Sequence, residues 1–224
     1  MKVWTAARTN PMRMTGTRNS GIATLLVVLL APAGVDAQAE RIDSEICSSC
    51  HGERGVSANP LVPRLAGQPY TLIEDNLLAF RAGKRSCSPA RADGSPAAAL
   101  AQTMCALVRD LGDREIASLA EYFSAQAFVP AQQDFDPQLA ARGAALHRQL
   151  GCERCHADGG SQTLGMAPVL AGQWTPFLRR ALGAVREGTR RGPKMMNEPL
   201  RSLGEKELEA LLNFYARGAR GTAH

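Results

Sequence analysis

The stretches Cys47-Ser-Ser-Cys50-His51 and Cys152-Glu-Arg-Cys155-His156 decide the fold, because each is a complete C-x-x-C-H motif. This motif is the attachment sequence for c-type haem. Its two thiols lie about one helical turn apart and add to the two haem vinyl groups, and the next residue places an imidazole against the iron. A single copy is also compatible with a zinc half-site or a redox dithiol, but zinc needs further Cys or His ligands. Since His147 and His224 are the only other histidines, two copies predict two covalently bound haem c groups.

The motifs belong to an internal repeat. A shift of 105 residues places residues 62–68, Val-Pro-Arg-Leu-Ala-Gly-Gln, on residues 167–173, Ala-Pro-Val-Leu-Ala-Gly-Gln. Farther along, a shift of 92 aligns residues 111–123 with residues 203–215, which indicates a 13-residue insertion in the first half. The sequence therefore predicts two related domains, each built around one haem. The shift of 105 also aligns three further pairs, Arg81 with Arg186, Gly83 with Gly188 and Arg85 with Arg190.

The predicted organisation is a signal peptide (1–37), a first domain (38–126), a linker (127–136) and a second domain (137–224). Residues 1–20 contain four basic and no acidic side chains, and an apolar run followed by small residues at A-x-A-like spacing comes next. This pattern is typical of a secretory signal, so we expect export to the periplasm. The apolar run is shorter than the roughly 20 residues of a transmembrane helix, and no later stretch is long enough. We therefore expect no integral membrane segment after signal cleavage.

The pattern of apolar residues predicts helices throughout the two domains. Asp136 and Pro137 predict the N-cap and first turn of a helix that ends at Gln149. Apolar spacing predicts two more helices, over 70–82 and 175–186. Two later segments each place apolar side chains on one face, which we expect to pack against the motif helix of the same domain. These side chains are Ile116, Leu119, Ala120 and Phe123 in the first domain, and Leu208, Leu211, Leu212 and Tyr215 in the second.

Met104 and Met196 are aligned by the shift of 92 and are candidates for the second axial ligand of each iron. A low-spin electron-transfer haem needs this ligand, and a thioether sulfur opposite histidine raises the reduction potential. Met104 is the only methionine between residues 38 and 134. In the second domain Met166 and Met195 compete with Met196, and the repeat favours Met196. For each methionine the alternative is core filling.

Pro63 and Pro168 each follow the motif histidine of their domain by 12 residues. A haem-ligating histidine usually donates its other ring N–H to a carbonyl, which fixes the ring and tunes the iron. A proline-led turn supplies a rigid carbonyl for this purpose. An ordinary loop proline is the alternative at either site, but the identical spacing favours a contribution to both haem sites.

The two C-x-x-C-H motifs, the PxLAGQ segments and the paired methionines resemble the dihaem class I cytochromes c of the cytochrome c4 group. The resemblance covers nearly all of the chain after the signal peptide. It implies an all-α fold of two tandem class I cytochrome c domains and an electron-transfer protein rather than an enzyme. It also implies that His51 and Met104 are the axial ligands of one haem iron, and His156 and Met196 those of the other.

A narrower resemblance links the second domain to the cytochrome subunit of flavocytochrome c sulfide dehydrogenase, through residues 130–136, 152–160 and 170–177. It implies a flavoprotein dehydrogenase partner that oxidises sulfide and passes electrons to the haems. The alternative is a free carrier that delivers electrons to a terminal oxidase. A dihaem peroxidase or a thiosulfate-oxidising enzyme is an alternative of another class, but it needs an open or unusually ligated iron. A nucleic-acid partner is not expected, since part of the basic excess lies in the signal peptide.

Cys87 and Cys105 have no counterparts in the second domain. An oxidising compartment favours a disulfide between them. We therefore expect this pair to be bonded, with a reactive sulfur-binding cysteine as the alternative.

A basic run in the second domain leads toward Met196 and contains one acidic residue, Glu187. We interpret it as a docking surface for a redox partner, because complementary charge speeds encounter. The alternative is a solvated helix face. Its members are Arg179, Arg180, Arg186, Arg190, Arg191 and Lys194.

Overall fold

The computed structural model describes residues 39–85, 96–190 and 192–218, and these ranges contain helices and no β-strand. The predicted all-α class is confirmed. The predicted signal peptide, Cys87 and Arg191 lie outside the described residues. Within the described ranges, no helix is long and apolar enough to cross a membrane.

In the described ranges, the first half contains four α-helices, and the second half contains four longer α-helices and one short one. The first set is α1 (Ala39–His51), α2 (Tyr70–Arg81), α3 (Pro96–Val108) and α4 (Asp113–Ser124). The second set is α5 (Pro137–Gln149), the short α6 (Ala157–Gly160), α7 (Thr175–Arg186), α8 (Lys194–Ser202) and α9 (Glu205–Ala216). All described residues belong to one compact unit, 36–224.

The sequence repeat is also a repeat of helix packing. In the first half α4 packs against α1 and α2, and α2 packs against α3. In the second half α9 packs against α5 and α7, and α7 packs against α8. The two apolar faces predicted from the sequence are buried on α4 and α9, as expected for the helices that close each core.

The start of α5 follows from capping chemistry. The Asp136 carboxylate accepts hydrogen bonds from the backbone N–H groups of Gln138 and Leu139 at 2.7 and 3.1 Å. Pro137 occupies the first turn of α5, where no N–H is needed, so the predicted start of α5 is confirmed.

The repeated pair Arg81 and Arg186 ties α2 and α7 to the starts of α4 and α9. Arg81 donates to Leu111 O at 2.7 Å and pairs with Asp113 at 2.6 Å. Arg186 makes the equivalent contacts with Leu203 O and Glu205. These arginines therefore recur in the repeat because each one joins two helices of its own half.

The segment 127–136 contains no helix or strand and lies against both halves. The Ala131 N–H donates to Gly172 O at 2.7 Å in the second half. The Val129 carbonyl accepts a hydrogen bond from Arg64 Nη1, in the first half, at 2.7 Å. The connection is thus held by hydrogen bonds along its length.

Helices α5 and α9 approach each other closely at Gly143. A Cβ atom at this position would lie 2.1 Å from Ala210 O and 2.7 Å from the Phe214 Cβ. Backbone atoms cannot yield as a flexible side chain does, so any larger residue forces the two helices apart.

We expect Gly143→Ala to lower the free energy of unfolding by about 1–3 kcal/mol, although alanine favours helix formation. Denaturant unfolding of the haem-loaded protein measures this change. Arg142→Ala, at an exposed position of the same helix, is the control and should stay within about 0.5 kcal/mol of the parent. A Gly143→Ala protein as stable as this control contradicts the close contact.

Candidate haem site

Both C-x-x-C-H motifs line one cavity of about 1450 Å³. Pockets for single small ligands usually have volumes of about 300–1,000 Å³, so this cavity has room for more than one group. Every residue predicted to contact haem lines it, namely Cys47, Cys50, His51, Pro63, Met104, Cys152, Cys155, His156, Pro168 and Met196. The structure therefore brings both predicted haem sites together in one part of the molecule.

The two motif histidines are buried and held by the carbonyls expected from the sequence. His51 Nδ1 donates to Pro63 O at 2.9 Å, and His156 Nδ1 donates to Pro168 O at 3.0 Å. With the proton on Nδ1, the Nε2 lone pair of each ring is left for a metal. Burial lowers the pKa of both imidazoles, with the carbonyl hydrogen bonds acting in the opposite direction. Both rings are thus suited to bind iron in the neutral form.

The two motifs differ in local backbone structure. The first motif lies inside α1, which ends at His51, in agreement with the expected helical turn. In the second half α5 ends at Gln149, Gly151 adopts a positive φ of 70°, and a 3₁₀ turn covers Cys152–Arg154. The two motifs therefore have the same sequence spacing of two cysteines and one histidine but different backbone conformations.

None of the four motif cysteines is in a disulfide. In the described ranges, no group of three or more His, Cys, Asp and Glu side chains could hold a metal ion. Cys105 is disulfide-bonded, in agreement with an oxidising compartment. Because Cys87 lies outside the described residues, its pairing with Cys105 stays a prediction.

The candidate methionine ligands differ in burial. Met104 on α3 is partly buried. In the second half Met196 on α8 is partly buried and packs against the hydrophobic core, whereas Met166 and Met195 are 51% and 63% exposed. Burial therefore favours the same residue as the repeat does.

Three arginines converge at the cavity: Arg85, Arg180 and Arg190. The Oδ1 atom of Asn76 accepts from Arg85 and lies 3.5 Å from Arg190 Nη2. None of the three arginines is among the salt bridges of the described ranges, which involve Arg54, Arg81, Arg179 and Arg186. Burial, followed by the charges of Arg190 and Arg180, lowers the pKa of Arg85 to about 9.

Guanidinium groups stay protonated in proteins, so the cluster holds positive charge for which the described residues form no ion pair with a carboxylate. Arg85 and Arg190 are partly buried. Charge that is partly removed from water is costly unless an anion compensates it. Haem carries two propionate carboxylates, and arginine binds carboxylates with good geometry. The cavity, its thiols, its imidazoles and its arginines therefore fit haem.

The basic run of the second half is largely used inside the chain. Arg179 pairs with Glu209 at 2.6 Å, and Arg180 donates to Leu61 O at 3.0 Å. Arg186 and Arg190 make the contacts described above. The structure therefore gives these four arginines intramolecular contacts, while a docking role for the exposed Arg179 and Arg180 stays a prediction.

Sequence reasoning missed three contributors. One is His147, whose buried ring lies between Tyr215 Oη at 2.9 Å and His156 O at 3.1 Å. Its hydrogen bond to His156 O fixes the backbone of the second motif. The others are Gln68 and Gln173, which are buried and make hydrogen bonds to the opposite half. The occurrence of glutamine at both equivalent positions of the repeat was the sequence feature that could have indicated this role.

Comparison with known proteins finds a matching family model and several similar proteins. A family model described as cytochrome C oxidase, cbb3-type, subunit III matches residues 138–214. The chain is 31% identical over 211 residues to a cytochrome c4 of Azotobacter vinelandii, which covers 88% of this chain and 97% of that protein. It is 28% identical over 213 residues to a thiosulfate dehydrogenase electron acceptor of Stutzerimonas stutzeri (strain A1501), covering 88% and 92% of the two chains.

A solved structure agrees with these relatives. The crystal structure of reduced recombinant cytochrome c4 from Pseudomonas stutzeri matches with a TM-score of 0.66 at 30% identity, over 82% of this chain and 98% of that one. The fold and the paired motifs therefore define a dihaem class I c-type cytochrome, which carries two covalently bound haem c groups. The chain belongs to the cytochrome c4 family. It is an electron-transfer protein and not an enzyme.

When bound, each haem supplies a one-electron couple between ferric and ferrous iron. The chain's own residues would hold and tune this group. The motif thiols would attach it, the proline carbonyls would keep the orientation of the two imidazoles, and the apolar cavity walls would limit access of water. The arginine cluster would supply positive charge near it, which favours the reduced state.

We expect Arg85→Gln to lower the haem reduction potential, because it removes positive charge that stabilises the added electron. At an effective dielectric constant of about 20, one charge at the wall of the same cavity contributes on the order of 1 kcal/mol. A spectroscopic redox titration measures the change. Arg142→Gln, on the exposed face of α5, is the charge-matched control, and equal potentials for the two variants contradict a role for the cluster at the haem site.

Proposed function

We propose that this chain is a periplasmic electron carrier that accepts electrons from a dehydrogenase of a reduced sulfur compound. The observation that carries the proposal is the convergence of both haem motifs on one cavity. Oxidation of two thiosulfate ions to tetrathionate releases two electrons, and oxidation of sulfide to sulfur also releases two. Two one-electron sites in a single compact unit match this stoichiometry.

The proposed axial ligands are His51 and Met104 for the first haem, and His156 and Met196 for the second. Each histidine is buried, carries its proton on Nδ1 and lies on the cavity wall. Met196 contacts the core, unlike its exposed neighbours. Histidine–methionine ligation places the potentials in the higher part of the c-type range, as an acceptor of electrons requires.

The periplasmic location rests on the predicted signal peptide and on the chemistry of the cysteines. The basic start and short apolar run of residues 1–37 are typical of export. The disulfide at Cys105 is of the kind that persists in an oxidising compartment.

Two donors fit the proposal. The relative called thiosulfate dehydrogenase electron acceptor aligns with most of both chains, which favours a thiosulfate dehydrogenase. The segments 130–136, 152–160 and 170–177 favour a flavoprotein sulfide dehydrogenase instead. In either case the donor performs the sulfur chemistry, and a terminal oxidase is a suitable acceptor for the electrons.

We expect Met104→His and Met196→His each to lower the potential of one haem on the order of 100 mV, well within the range of about 0.8 V that axial ligands span. Replacement of thioether by imidazole removes the ligand that favours ferrous iron. Protein-film voltammetry resolves the two couples. Met195→Leu and Met166→Leu are the controls and should leave both potentials unchanged, and a large shift in either control assigns the ligand of the second haem differently.

Stopped-flow mixing with a purified donor tests the partner. With thiosulfate and a thiosulfate dehydrogenase present, we expect rapid reduction of both haems, and none with thiosulfate alone. A flavoprotein sulfide dehydrogenase with sulfide is the parallel experiment. Since sulfide can reduce haem directly, the measured quantity is acceleration over sulfide alone. Failure of both donors to reduce the chain would contradict the proposed donor class.

A further inference from the structure

The side chains of Gln68 and Gln173 make reciprocal hydrogen bonds between the two halves. Gln173, from the second half, accepts from Arg64 N–H at 2.8 Å and donates to Arg64 O at 3.0 Å. Gln68, from the first half, accepts from Val169 N–H at 3.0 Å and donates to Val169 O at 3.2 Å. Arg64 and Val169 occupy equivalent positions of the repeat, so the two contacts are equivalent as well.

Each glutamine binds the peptide group that also binds the motif histidine of the opposite half. The carbonyl of Pro63 and the N–H of Arg64 belong to one peptide group, which accepts from His51 Nδ1 at 2.9 Å and donates to Gln173. In the other half, the Pro168–Val169 peptide accepts from His156 and donates to Gln68. An unbroken pair of hydrogen bonds therefore runs from each imidazole to a side chain of the other half.

These contacts are shielded from water. Gln68 and Gln173 are 4% and 3% exposed, and the two residues that they bind are similarly buried. In such surroundings hydrogen bonds polarise one another, with an effect of about 10–30% per bond. A carboxamide that accepts from the N–H end of a peptide thus makes the carbonyl end a stronger acceptor.

We propose that Gln68 and Gln173 are positioning residues, each of which tunes the haem of the opposite half through the hydrogen bond of its ligating histidine. This inference rests on His51 and His156 being the axial ligands proposed above. A stronger acceptor at Nδ1–H gives the imidazole more anionic character and stabilises ferric iron. Each glutamine therefore lowers the potential of the haem in the other half.

The test is a substitution in one half with a readout in the other. Gln173→Met retains the length of the side chain and removes both hydrogen bonds to Arg64. We expect the haem attached at Cys47 and Cys50 to become easier to reduce by about twofold or more in its reduction equilibrium. For a one-electron couple twofold is about 18 mV, since tenfold is about 59 mV. The second haem should shift less.

Proton NMR of the haem methyl resonances measures the two haems separately during stepwise reduction. Gln68→Met is the mirror experiment and should shift the haem attached at Cys152 and Cys155. Gln133→Met is the matched control, because Gln133 makes the same pair of contacts, donating to Gln173 O at 2.8 Å and accepting from Thr175 N–H at 2.9 Å. Neither of those backbone groups belongs to a peptide that binds His51 or His156.

A shift confined to the haem of the substituted half, or equal shifts in Gln133→Met, would overturn the proposal and leave only a packing role. If the methionine variants do not fold, Gln173→Glu provides the test at a pH where its carboxylate is ionised. That carboxylate accepts more strongly from Arg64 N–H, so the potential of the first haem should fall, and an unchanged potential also overturns the proposal.

Ligation by His51 is checked separately with His51→Gly, whose low-spin spectrum should return on addition of imidazole. If His51→Gly keeps the parent spectrum and imidazole has no effect, His51 is not the ligand. If imidazole restores the spectrum but the glutamine variants leave both potentials unchanged, the ligand assignment holds and the proposal for Gln68 and Gln173 is wrong.

Discussion

The hydrogen bond from each motif histidine to a proline carbonyl is the contact on which the rest of the site depends. It fixes the orientation and the tautomer of the ring. The chain between the histidine and the proline folds so that the proline carbonyl reaches the ring. Gly55 and Gly160 adopt positive φ angles of 80° and 87° there, and their carbonyls accept from Leu65 and Leu170 N–H at 2.8 Å. A Cβ at Gly55 would lie 2.8 Å from a backbone nitrogen, so the turn admits only glycine without rearrangement.

The segment that carries this carbonyl also builds the contact between the halves. Residues 62–68 serve their own motif through Pro63 and the other half through Arg64 and Gln68, and residues 167–173 do the same. Trp174 adds a hydrogen bond from its indole N–H to Ser57 O at 2.9 Å. Each of these seven-residue segments binds the histidine of its own half and also contacts the other half. A change in packing between the halves therefore changes the hydrogen bonds of the imidazoles, so the two sites are coupled.

Local patterns predicted much of the structure. The cap at Asp136, the buried faces of α4 and α9 and the carbonyls of Pro63 and Pro168 follow from spacing within one segment. The arginine cluster could not be predicted, because Arg85 and Arg190 meet only when the two halves pack together. The intramolecular contacts of the basic run could not be predicted either, because the partners of its arginines, such as Glu209 and Leu61, lie far away in the sequence.

The hydrogen bonds of Gln68 and Gln173 follow the symmetry of the repeat, whereas the contacts of the arginine cluster do not. Arg85 and Arg190 are equivalent positions, yet both share Asn76, whose counterpart is Ala181. Positive charge in a cavity that both motifs line acts on both haems and raises their potentials together. The carboxamide contacts instead act on one haem each. The arginine charge thus raises both reduction potentials together, and each glutamine adjusts one of them. The two potentials can therefore differ while both stay high enough to accept electrons.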